Sequence, residues 1–153
     1  MIIDPVMDFN FASGRTGSDH NDKVATFCEE NKLNVEYICE SHVHADHMTG
    51  GAGLRERFPG AKTGIGEHVT TVQGTFKKVF NLKEEFHEDG SQFDILFKDG
   101  QTFQLGNLEG RIMHTPGKSN GVGGICLYDV TWIVKVRQHL LHLQLSNRID
   151  PHN

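Results

Sequence analysis

Within seven positions, 41 to 47, the chain places Ser-His-Val-His-Ala-Asp-His, directly after the apolar run "VEYIC". His42 and His44 are one residue apart, so in an extended backbone they project to the same side and can share one ion. Asp46 and His47 then offer an oxygen and a nitrogen to a neighbouring position. Imidazole suits zinc and iron, and a carboxylate beside it extends the set to a second metal or orients a bound water. The cluster builds one metal site or half of two. Drawn at random from the chain's own composition, HxHxDH arises with a probability on the order of 0.3%, so coincidence explains it poorly.

A metal loop needs a strand tip beneath it. "NVEYICE", rich in β-branched and aromatic residues, reads as that strand, and ligand sites of α/β sheets lie where loops leave such tips. Before it, "MIIDPVMDF" reads as a short strand leaving the sheet at a proline and "SGRTGSD" as a loop. The spacing of Val24, Phe27 and Cys28 predicts a helix through "NDKVATFCEENK", capped by Ser18 or Asp19, which gives a β-α-β rhythm. Beyond the metal loop, "GGAGLRERFPG" reads as a short helix, "AKTGIG" as a strand and "EHVTTVQGTFKKVFN" as a helix weakened by Gly74. From residue 91 the period becomes two. "QFDILF", "QTFQLG" and "LEGRIMHT" predict an antiparallel meander, and "GGICLYD" with "TWIVKV" a final strand pair. The closing "RQHLLHLQLSNRIDPHN" has leucines at helical spacing. The fold class expected is α/β with a mixed sheet.

At 153 residues the chain is long enough to bury one core without disulfide or metal staples. A net charge of −5 argues against nucleic acid or an anionic membrane as partner. No apolar stretch approaches the roughly 18 residues needed to span a bilayer, and the first residues lack the character of a signal or transit peptide, so a cytoplasmic protein is expected. Cys28, Cys39 and Cys126 form no CxxC pair and read as small buried residues. "EEFHEDG" (84–90) reads as a solvated acidic loop, and His139 and His142 as surface histidines. Arg55, Arg57 and the "FKK" run are cations of the kind an anionic thiol substrate such as glutathione pairs with, though nothing in their spacing marks a binding site.

The blocks "IIDPVMDF", "SHVHADHMTGG", "GEHVTTVQGTFKKVFN" and "DGSQFDILFKDGQTFQLGNLEGRIMHTPG" together resemble the metallo-β-lactamase superfamily, most closely its persulfide (sulfur) dioxygenase branch, over about residues 2–118 and more weakly to 130. HxHxDH specifies the superfamily; "DGSQFDILFKDG" followed by "HTPG" points to the branch. The resemblance implies part of an αββα sandwich over residues 1–136, with a divergent tail at 137–153. It implies one ferrous ion and oxidation of a glutathione-linked persulfide by O₂ to sulfite, with a mitochondrial address as an alternative to the cytoplasm. His42 would be an iron ligand, His44 and His47 ligands or proton carriers, and Asp46 the orienting carboxylate, with Asp46 and His47 nearest the chemistry.

Two positions depart from the branch. Its second histidine ligand is the later histidine of an HTPGHT loop; here His114-Thr115-Pro116-Gly117 is followed by Lys118, whose ammonium binds no cation while protonated. The aspartate ligand falls at Arg137, with Asp129 at the intervening strand turn. His114, four residues before the lysine, is the candidate substitute ligand, with a supporting or packing role as the alternative. The abrupt change into the tail is what a misread exon boundary, a frameshift or a truncated copy produces.

Three functions therefore stand open. One is the iron dioxygenase. Another is a zinc hydrolase of the same superfamily, a glyoxalase II-like thioesterase or lactonase, with a second zinc on Asp46 and His47. The third is a non-catalytic fragment or interaction module whose sheet edge pairs with another chain, including a copy of itself.

Overall fold

The computed structural model describes residues 1–116 and 130–136. The strand expected at "GGICLYD", the closing helix, Cys126, Lys118, Asp129, Arg137, His139 and His142 lie outside the described residues. Nine strands and three helices alternate along the described chain: β1 Ile2–Ile3, β2 Asp8–Asn10, β3 Arg15–Gly17, α1 Asp19–Glu30, β4 Tyr37–Cys39, α2 Gly51–Arg57, β5 Lys62–Gly66, α3 Val69–Val79, β6 Ile95–Phe97, β7 Thr102–Leu105, β8 Leu108–Pro116 and β9 Val130–Val136. They form a parallel sheet in the order β1-β4-β5-β6, an antiparallel sheet β7-β8-β9, and a small hairpin β2-β3.

The alternation of β4 builds the layers. Ile38 faces the helices, packing with Cys28 of α1, Leu54 of α2, Val35 and Ala61. Cys39 points the other way, packing with Phe97, Phe103 and Ile112 between the two sheets. Helices, parallel sheet and antiparallel sheet are thus three layers of an αββα sandwich, each sheet hiding one apolar face. Gly64 is needed at the second interface: a Cβ there would sit 2.5 Å from the Phe97 ring. Among the described residues no helix is long and apolar enough to cross a membrane.

Three local expectations are corrected. The "QFDILF" strand does not open the meander; β6 pairs in parallel with β5. Asp94 holds it there, accepting from the Thr63 N–H and hydroxyl, both at 2.8 Å, and from Arg55 at 3.0 Å. "SGRTGSD" is not all loop, because Arg15–Gly17 closes a hairpin on Asp8–Asn10. The turn is made by Gly14, φ 65, with the Asn10 side chain accepting from the Ser13 N–H at 2.9 Å. In α1 the buried stripe is Asn21, Ala25 and Cys28, while Phe27 is exposed. Its first turn is capped from outside the helix: the Asp8 carboxylate accepts from the His20 N–H at 2.7 Å, while the Ser18 hydroxyl donates to Asp22 at 2.9 Å.

Candidate metal centre

Parallel strands release their following loops at one edge, so the chain segments after β1, β4 and β5 emerge side by side. β1 is followed at once by Asp4, whose φ of 51 is a left-handed conformation that aspartate tolerates better than most residues. Its N–H donates to the Cys39 carbonyl at 2.9 Å, which sets the carboxylate under the loop that follows β4. There it accepts from the Ser41 N–H at 2.6 Å and the Ser41 hydroxyl at 2.7 Å. Burial pushes the Asp4 carboxyl upward, but those two bonds and the nearby His44 outweigh it and hold the group below its ordinary value.

His44 is the centre of the arrangement. Its Nε2 lies 3.0 Å from Asp4 Oδ1 and 3.6 Å from Glu40 Oε2, and its Nδ1 lies 3.7 Å from Asp46 Oδ1. One ring nitrogen therefore faces a supporting carboxylate while the other faces the loop, the pattern of a carboxylate-oriented metal ligand. His47 Nδ1 lies 3.1 Å from the same Asp46 oxygen, and His47 Nε2 is buried with no hydrogen-bond partner. Donor atoms of His44, Asp46 and His47 all lie within 4.8 Å of one another. A buried imidazole nitrogen left without a partner, beside a second nitrogen and an oxygen, fits a borderline metal such as zinc or ferrous iron.

The expected residues are only partly gathered. His42 lies alongside, its ring centroid 4.1 Å from that of His44 and its Nδ1 2.9 Å from the Ser41 hydroxyl. It is not in the groups whose donor atoms converge. His114 pairs instead with His68 at the start of α3, ring centroids 4.7 Å apart, and its N–H donates to Asp99 at 2.9 Å. Arg55 and Arg57 pair with Asp94 and Asp22 while staying about half exposed. In "EEFHEDG", Asp89 accepts from the Ser91 N–H at 2.9 Å, and Gln73 accepts from the Gly90 N–H at 3.0 Å. Glu84, Glu85, His87, Glu88 and Asp89 are exposed, so that loop is the solvated acidic one its sequence suggests, anchored at the buried Gly90.

Asp4, Glu40, Thr49 and His68 were not singled out by sequence spacing. The signals available were an aspartate before proline at a strand end and a glutamate at the tip of an apolar strand. Glu40 is 9% exposed, and its Oε1 accepts from the Thr49 hydroxyl. Burial, with Asp4 adding to it, pushes its carboxyl from 4.5 up to about 7.

An acid whose folded pKa is raised holds more protons folded than unfolded, so stability falls as pH climbs from 4.5 to about 7. Glu40→Gln, which keeps the Thr49 acceptor, is expected to remove that decline in the metal-free chain, a change on the order of 1–3 kcal/mol across the window. Thermal melts between those pH values check it; parallel slopes for variant and wild type would mean that Glu40 does not titrate there.

A histidine–aspartate loop whose donor atoms could hold a metal, at the edge of a layered α/β sandwich, points to the class: a fold of the metallo-β-lactamase kind. Residues 1–134 match the family model of the metallo-β-lactamase superfamily, and the chain belongs to that family. It is 45% identical over 116 residues to "Glyoxylase B2" of Dictyostelium discoideum, covering 76% of this chain and 40% of that protein. It is 40% identical over 133 residues to the "Beta-lactamase hydrolase-like protein" of Xylella fastidiosa, covering 87% of this chain and 29% of the relative. The chain thus spans less than half the length of these curated relatives. The crystal structure of ETHE1 from Myxococcus xanthus shares the fold, with a TM-score of 0.56 at 20% identity, over 88% of this chain and 41% of that one.

Proposed function

We propose that the chain carries the metal-loop half of an iron-dependent persulfide dioxygenase that acts on glutathione persulfide in the cytoplasm. The observation that supports this reading is the convergence of His44, Asp46 and His47, in a chain whose sequence blocks resemble that branch. A ferrous ion held there would acidify the persulfide and bring it beside O₂. The balanced reaction takes one persulfide, one O₂ and one water to glutathione, sulfite and two protons; the terminal sulfur gives up four electrons to O₂.

The residues of this chain have separate tasks. Asp4 Oδ1 lies 3.0 Å from His44 Nε2, a close carboxylate contact that leaves Nδ1 on the side of Asp46. Asp46 is exposed; its own backbone N–H, then His47 and His44, keep its carboxyl below the ordinary value, so it is ionised and an acceptor at neutral pH. Its contact with His47 Nδ1 fixes that ring with Nε2 inward.

The names of the relatives support a second reading, a zinc hydrolase with Asp46 and His47 on a second zinc. Lys118 and Arg137 support a third, a non-catalytic module. Metal analysis of chain purified from iron-supplemented medium separates them, together with O₂ uptake on glutathione persulfide and a thioester hydrolysis assay. One iron per chain with O₂ uptake is the expected result. Two zincs with thioester hydrolysis would assign the hydrolase, and a chain that stays metal-free at neutral pH would overturn both enzymes.

A further inference from the structure

Between the two sheets, at the root of the metal loop, lies a cavity of about 30 Å³. Cys39, Phe97 and Ile112 form its floor, Met1, Ile3 and Gly66 complete its lining, and Glu40 and Ser41 make the wall toward the metal loop. The floor residues are buried, at 7%, 4% and 2% exposure, whereas Ile3 is 49% exposed, so the cavity has an apolar mouth. One water fills roughly 10–15 Å³ of such space, so this cavity is the size of a diatomic molecule.

The lining argues against water. A buried water takes two to four polar partners. Burial pushes the Cys39 thiol up to about 12, so it stays S–H at neutral pH and acts as a small apolar group. The Ser41 hydroxyl is already bound to Asp4 and His42, and Glu40 Oε1 to Thr49. Glu40 Oε2 alone on this wall lacks a hydrogen-bond partner, which is too few to hold water. A small apolar molecule loses nothing there.

The wall is also the back of the metal loop. Ser41 Oγ lies 2.9 Å from His42 Nδ1, and Glu40 Oε2 lies 3.6 Å from His44 Nε2. We propose that this cavity binds dioxygen and stores it one side chain away from the metal-binding histidines, with Ile3 at the entrance. The assignment rests on the dioxygenase reading for its purpose, since a hydrolase has no use for O₂, but binding itself needs no metal.

Dissolved O₂ is paramagnetic and relaxes the nuclei it touches. In metal-free protein with labelled isoleucine methyls, the Ile112 methyl is expected to show several-fold more relaxation under O₂ than under N₂, when compared with Ile38. Ile38 is equally buried, at 2% exposure, in the other apolar cluster. Cys39→Met fills the floor and is expected to abolish the difference; Ile3→Trp, at an exposed position, blocks the mouth should the first variant fail to fold. In protein that turns over, either change should raise KM for O₂ severalfold and leave KM for the persulfide unchanged. Equal relaxation at Ile112 and Ile38, or an ordered water on Glu40 in a crystal, overturns the proposal. An O₂ signal without turnover upholds the cavity and removes the dioxygenase reading; turnover without the signal does the reverse.

Discussion

Asp4→Ala is expected to weaken metal binding by about 10- to 100-fold, the usual effect of removing a carboxylate that orients a histidine ligand. The side chain makes three contacts at once: the Ser41 N–H, the Ser41 hydroxyl and His44 Nε2. Without it the His44 ring loses the carboxylate that lies 3.0 Å from its Nε2 and orients it. Glu40 is no substitute, being farther from Nε2 at 3.6 Å and pushed toward its neutral form. Alanine at φ 51 also costs about 1–2 kcal/mol of backbone strain. Asp4→Gly is therefore the companion variant: it relieves the strain, and an equal loss of affinity in both assigns the effect to the carboxylate. Calorimetric titration with Zn²⁺ or Co²⁺ measures it, and wild-type affinity in either variant would refute the orienting role.

Leu54→Ala carries the largest expected effect on stability. Leu54 is 0% exposed, and it joins α2 to Cys28 of α1 and Ile38 of β4. Truncating a leucine so enclosed costs about 2–5 kcal/mol, the higher end where the surroundings cannot collapse into the gap. Against a total stability of roughly 5–15 kcal/mol for a domain, that is a large share. In urea the unfolding midpoint is expected to fall with the slope retained. A loss below about 1 kcal/mol would show that the helices close over the cavity.

The parts of the fold legible in the sequence were those set by local pattern. The apolar run of β4, the punctuated helix of α2 and the period-two residues of β7 and β8 each announce themselves over a few positions. β6 did not, because its partner is chosen by Asp94 reaching Thr63, 31 positions earlier. Phe27 misled for the opposite reason: it sits at helical spacing but on the outer face, and the inward stripe includes a polar Asn21 whose amide donates to the Gly50 carbonyl at 2.9 Å. The convergence of His44, Asp46 and His47 could be anticipated because those residues are near-contiguous, whereas His42 stands outside that group. Its support Asp4 could not, since it meets His44 only after strands 36 positions apart have paired, whereas Glu40 lies four residues from His44 but carries no ligand spacing of its own.

That pairing has a thermodynamic consequence. β1 is two residues long and lies at the edge of its sheet, held in register by Ile2 against Ile38 and Ile3 against Cys39. A strand held by only two residue pairs at a sheet edge opens at a cost below that of global unfolding. Each opening carries Asp4 out from beneath His44, so the loop is competent only in the fraction of molecules whose first strand is docked. By linkage the relation runs both ways. An ion that prefers the docked form slows exchange of the Asp4 amide by the same factor that opening subtracts from its affinity, and the edge strand becomes the thermostat of the metal site.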